Sequence, residues 1–208
     1  VLEAIKKTGM FMVRVASEDK NGNYNLVCQP LQKALGKDAL NPSYELAAWF
    51  SALSMMANIE SGNFRYLLVA RDLNKPAVSP EGVYLPAYNV KKAYESKELT
   101  SGHPSVLGMF GMLPGNAAVD TLTMKKTLDK VIECWDWNSC SASDLAMAAM
   151  CATRLGEPEK AIELLLKQSD NSKWLAGGQN SLSGQNCYLT GNGALLSAVA
   201  LMTAGWDK

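Results

Sequence analysis

Apolar residues recur at intervals of three and four along most of this chain. The first segment alone aligns Leu2, Ile5, Gly9, Met12, Val13 and Ala16 on one helical face. The polar cluster Asp19-Lys20-Asn21-Gly22-Asn23 ends that helix, and the brief alternation of Tyr24 to Cys28 before Pro30 predicts a short strand or extended loop. Asn41-Pro42 marks a second helix start, followed by an apolar face through Leu46, Trp49, Phe50, Leu53, Met56 and Ala57 to about Glu60. A shorter helix is predicted over Phe64 to Leu73. Beyond it Pro80, Gly82 and Pro86 punctuate Val78, Val83, Tyr84, Leu85 and Tyr88, which predicts a small β insertion near residues 77–90.

His103-Pro104 opens a short helix through Met112, closed by Leu113-Pro114-Gly115. Asp120 or Thr121 caps a long amphipathic helix bearing Leu122, Met124, Leu128, Val131 and Ile132, which leads to Trp135-Asp136-Trp137. Ser141 or Ser143 caps the next helix, Gly156 ends it, and Pro158 begins its partner, so the two form a tight hairpin. A loop rich in Gly, Asn, Ser and Gln spans Gly177 to Asn192, and a helix apolar nearly all round runs from Gly193 to Ala204. The pattern predicts an all-α fold in a single domain over residues 1–208, with the final helices wrapped by outer ones.

Composition narrows the partners. The 208 residues carry 20 basic and 20 acidic side chains, and the basic ones are scattered, so no stripe exists to neutralise a run of phosphates; no nucleic-acid partner is expected. The longest apolar stretches fall short of the roughly 20 residues a bilayer requires, so no membrane span is expected either. The chain starts Val1-Leu2-Glu3-Ala4, with no initiator Met and no leader pattern, which marks it as processed or as a fragment. Its five cysteines form no C-x-x-C pair and there is one histidine, which leaves no zinc set; neither a metal nor a cofactor is expected. The cysteines read as small buried hydrophobes, with a disulfide or a reactive thiol as the alternatives. Ser/His/Asp or Cys/His catalysis would depend on His103 alone, and no G-x-S-x-G elbow accompanies it.

Five ordered stretches carry a resemblance: Asn41 to Trp49 (NPSYELAAW), His103 to Gly108 (HPSVLG), Met112 to Gly115 (MLPG), Trp135-Asp136-Trp137, and Tyr188 to Gly193 (YLTGNG). Together they resemble uncharacterised bacterial and fungal members of the six-hairpin glycosidase superfamily and, more distantly, the inverting α-L-fucosidase family. The resemblance implies a partial α/α-toroid, the C-terminal part of a larger ring of inner and outer helices whose loops hold a carbohydrate at one end. It further implies association with a missing N-terminal portion or another chain, and it favours an extracytoplasmic location, periplasmic or secreted.

Inverting hydrolysis needs a carboxylic acid and a carboxylate roughly 6.5–9.5 Å apart. The candidate catalytic residues are Glu45, Asp144 and Asp136. Each has a structural alternative: a basic neighbour to neutralise for Glu45, a first-turn helix acid for Asp144, and a place between two packing tryptophans for Asp136. Candidate substrate-binding residues are Asn41, His103, Trp135, Trp137, Gln179, Asn180, Tyr188 and Asn192, whose amides, rings and hydroxyls suit sugar surfaces. In the fucosidase family an aspartate general base precedes Gly-Asn; here Thr190 stands there and cannot ionise near neutral pH. The resemblance therefore implies a glycoside-hydrolase-like protein that binds a glycan and hydrolyses it by the two-carboxylate route if it is active. The alternative is a non-catalytic helical-hairpin scaffold for a protein or peptide partner, suggested by the tetratricopeptide-like stretch Met147 to Leu166, which has no second copy at that period.

Overall fold

The computed structural model describes residues 1–169 and 171–206. Its described residues form a mostly helical fold, with seven α-helices, short 3₁₀ turns and three two-stranded β ribbons. The helices are α1 (Leu2–Val15), α2 (Ser43–Ile59), α3 (Arg65–Asp72), α4 (Thr121–Cys134), α5 (Ala142–Arg154), α6 (Pro158–Leu166) and α7 (Leu189–Ala204). The ribbons pair β1 (Ser17–Glu18) with β2 (Tyr24–Asn25), β3 (Val27–Cys28) with β4 (Ala39–Leu40), and β5 (Ser172–Trp174) with β6 (Asn180–Leu182), all antiparallel.

Side-chain pairings fix the helix directions. Lys6 meets Glu60, and the Trp49 indole N–H donates to the Met12 carbonyl at 3.2 Å, so α1 runs antiparallel to α2. Asp129 meets Lys160 at 2.7 Å and Lys125 pairs with Glu157, so α4 and α6 run side by side in the same direction. Between them α5 runs the opposite way. Gly191 lies against Ala142, and at the far end the Trp206 ring faces the Arg154 guanidinium, so α7 is parallel to α5. The first turns of α5 and α7 therefore lie at the same end.

Local sequence explains these elements. Asp120 caps α4 by accepting the Thr123 N–H at 2.8 Å, and Met124, Thr127, Leu128 and Val131 form its buried stripe. Thr127 ties the 77–90 segment to α4 by accepting the Tyr84 N–H at 2.8 Å; that segment is a tight turn closed by one antiparallel bridge, Val78 with Tyr84. α5 is the centre of the main core. Its alanines 146, 148, 149 and 152 are buried, and their small size lets neighbouring helices approach closely.

Three expectations shift in detail. His103-Pro104 leads into a short 3₁₀ turn, Ser105–Met109, instead of a helix to Met112, because Gly111 (φ 129°) reverses the chain directly against the α5 backbone. A side chain on Gly111 would sit 2.6 Å from backbone atoms of Met150 and Cys151. The expected 177–192 loop contains β6, and α7 begins at Leu189, so Gly191-Asn192-Gly193 lies in the first turn of the helix. Lastly, α7 is covered on one face by α5, while Leu189, Leu196 and Val199 stay exposed; among the described residues nothing wraps its other side. None of the described helices is long and apolar enough to cross a membrane.

Candidate active site

Beside the first turns of α5 and α7 lies a cleft of about 680 Å³, lined at that end by His103, Ser143, Asp144, Tyr188 and Thr190. Asp144 is 4% exposed and sits at the third position of α5, where a capping box forms. The Ser141 N–H and Oγ–H donate to Asp144 Oδ2 at 2.8 and 2.7 Å. The other oxygen, Oδ1, accepts a short hydrogen bond from His103 Nδ1 across 41 residues of chain. Every acceptor position that faces a donor here is used, so Asp144 acts on its histidine and its helix.

His103 is fixed from both sides. It precedes Pro104, the N-cap of the 3₁₀ turn Ser105–Met109, where the proline ring restricts its backbone. Its hydrogen bond to Asp144 raises the imidazole pKa above the ordinary histidine value; partial burial and the charge of Lys33 oppose the rise. Its side chain is about half exposed, and Nε2 has no partner among the described residues. A buried carboxylate that orients one ring nitrogen and leaves the other facing a cleft is suited to hold or move a proton there. A serine triad is not assembled: Ser143 Oγ bonds Ser141 Oγ at 2.7 Å, and among the described residues no serine hydroxyl bonds to His103.

Glu45 reaches the edge of this cleft through Leu31, which lines it. The Leu31 N–H donates to Glu45 Oε1 at 2.6 Å, while Oε2 is buried without a hydrogen-bond partner. Burial raises the pKa of this carboxyl above the usual glutamate range, and the Leu31 hydrogen bond only partly offsets it. The first turn of α2 therefore presents an acid that tends to keep its proton.

The remaining candidates lie outside the cleft lining. Asn41, in the left-handed region at φ 50°, is buried; it accepts the Leu26 N–H at 2.8 Å and donates to Asn25, so its amide shapes a turn. Trp135 is buried with its indole N–H on the Gly102 carbonyl, and Trp137 bonds the Ile132 carbonyl at the α4–α6 side. Asp136 is exposed between them and caps the short turn Trp137–Ser139. Asn180 and Asn192 hold the β5–β6 ribbon onto α7: Asn192 accepts the Asn180 N–H at 3.0 Å and donates to the Gly178 carbonyl at 2.9 Å. Gln179 occupies the tip of that ribbon, where its carbonyl accepts the Leu175 N–H.

The structure thus gathers His103, Asp144 and Tyr188, leaves Glu45 behind the lining residue Leu31, and adds Ser143 and the methionines 112, 147 and 150, which sequence reasoning did not single out as site residues. The spacing Ser141-x-x-Asp144 was the available signal for the fixed carboxylate. Among the described residues no group of three or more His, Cys, Asp or Glu could hold a metal ion. A comparison with protein-family models finds no match to this chain, and a comparison with curated proteins finds none either.

Proposed function

We propose that this chain is a glycoside-hydrolase-like protein, built on a partial α/α-toroid of the six-hairpin type, that binds a glycan in the His103 cleft. The observation that carries this reading is the His103–Asp144 pair at the cleft mouth, with Nε2 left for a ligand. The toroid reading draws support from the alternation of helix directions. α4 and α6 run together on one layer, α5 and α7 run together on the next, and a toroid repeats that order around a ring. For proton transfer we assign His103 held by Asp144, with Glu45 as the second acid, in place of two free carboxylates. The scaffold alternative is less well supported in the hairpin that suggested it, because ten of the thirteen residues of α5 are buried and its open side is the cleft wall itself.

Thermal unfolding in the presence of a panel of mono- and oligosaccharides tests the proposal. A ligand at about a hundred times its Kd stabilises by roughly 2.7 kcal/mol, or about 5–10 °C in Tm for a chain of this size. The shift should vanish in His103→Ala. If no member of a broad panel moves Tm, or if the shift survives in His103→Ala, the assignment fails.

A further inference from the structure

The cleft changes character along its length. Because α5 and α7 are parallel, residues further along one helix lie beside residues further along the other. At the start stand Ser143 and Asp144 on α5 with Tyr188 and Thr190 at α7, facing His103; further along stand Met147 and Met150 opposite Ala194 and Leu201, with Met112 closing over them from its turn. The one side-chain hydroxyl lining that second half has already given its proton, since Ser197 Oγ–H donates to the Gly193 carbonyl at 2.9 Å. From Ser143 to Met150 the α5 wall is roughly 10 Å long, and from Thr190 to Leu201 the α7 wall is roughly 16 Å. One sugar ring fills the polar end and leaves an apolar trough about as long as an aromatic ring beyond it.

We infer that the site takes an amphiphilic glycoside, its sugar headgroup at His103 and an apolar aglycone laid along the methionine-lined trough between α5 and α7. The inference rests on the glycan reading above and adds the class of ligand. Methionine walls are unbranched and polarizable, which suits aglycones of varied shape. The volume lies within the range of small-molecule sites. A free oligosaccharide would place hydroxyls against Met147, Met150 and Leu201, whose apolar side chains do not replace the hydrogen bonds that water gives them.

The test compares 4-nitrophenyl glycosides of glucose, galactose, mannose and fucose with the parent sugars and with 4-nitrophenol alone, by calorimetric titration of the full chain. For at least one sugar the aryl glycoside should bind ten times or more tighter than its parent. Leu201→Gln and Met112→Gln should each cut that advantage below threefold. Met112 lies on an exposed turn, so its variant keeps the comparison usable if the other fails to fold. Equal binding of aryl glycosides and parent sugars overturns the inference and leaves the glycan reading standing. If 4-nitrophenol binds as tightly as its glycosides and His103→Ala changes nothing, the headgroup contributes nothing and the inference falls. Binding of neither sugars nor glycosides removes both.

Discussion

Replacing Asp144 by asparagine separates the charge of this residue from its shape. The carboxylate accepts from the Ser141 N–H at 2.8 Å, from Ser141 Oγ–H at 2.7 Å and from His103 Nδ1. An amide can keep the two Ser141 bonds on its oxygen, but its NH₂ then faces Nδ1, which must become an acceptor. A charge-assisted bond worth about 1.5–3 kcal/mol is exchanged for a neutral one worth about 0.5–1.5, so the expected loss of stability is about 1–2 kcal/mol. The loss depends on pH in a fixed direction. The folded-state pKa of His103 is raised, so the stability it contributes is fully present below the unfolded value of about 6.5 and disappears as pH rises through the folded value. Wild type and variant should therefore differ most in urea unfolding near pH 5–6, and the difference should narrow above the folded pKa. His103 is the sole histidine, so its imidazole NMR signals report the titration without assignment. Its midpoint should lie above 6.5 in the wild type and fall below it in Asp144→Asn. An unchanged midpoint would refute the orienting role of Asp144.

Glu45→Gln should leave the protein at least as stable at pH 7. The raised carboxyl pKa means folding favours the protonated acid, so wild-type stability falls as pH rises from about 4.5 through the folded value, and urea unfolding across pH 4–8 should show that slope lost in the variant. Gly111→Ala should destabilise by about 2–4 kcal/mol in the same assay, since its φ of 129° is strained for any side chain and a Cβ meets the α5 backbone at 2.6 Å. Among the five cysteines, Cys187 is exposed and should react first with a thiol reagent in the folded protein. Cys140 and Cys151 are buried, with burial pushing the Cys140 thiol up to about 12, and should react only on unfolding; fast labelling of either would contradict the packing around α5.

Much of the helical frame was legible because its signals are local. Asp120, Ser141 and Pro158 announce helix starts that the structure keeps, and Gly156 ends α5 at φ 76°. The ribbon of β5 and β6 was not legible, since it is held by contacts distant in sequence: Asn180 packs against Gly191, where a Cβ would lie 2.6 Å from Asn180 Oδ1. Glycines at 191 and 193 fit a loop and a close backbone approach equally well, and at Gly191 the structure shows the close approach, inside a helix. In the site, amides that look suited to sugars, such as Asn41 and Asn192, are consumed by backbone hydrogen bonds, a fate that composition does not reveal. The pairing of His103 with Asp144 was hidden for the same reason, because it joins residues 41 apart in the sequence, one ahead of a 3₁₀ turn and one in the first turn of α5.

That pairing makes a folding device serve a site. The capping box exists to satisfy the free N–H groups at the start of α5, and the helix dipole favours a negative charge there. Once Asp144 is fixed by its own helix, its second oxygen is available at a defined place, and His103 is positioned without any further element. Ser141→Ala tests whether the two duties are separable. It removes the Oγ–H bond to Asp144 Oδ2 and leaves the Ser141 N–H and His103 bonds in place. The expected cost is about 1 kcal/mol in urea unfolding, the usual value of a lost cap. The His103 midpoint should stay above 6.5, since the carboxylate that raises it remains and has lost one competing donor. If Ser141→Ala lowers that midpoint as far as Asp144→Asn does, the carboxylate is held in place mainly by the serine hydroxyl, and the histidine is oriented by the cap as a whole instead of by Asp144 alone.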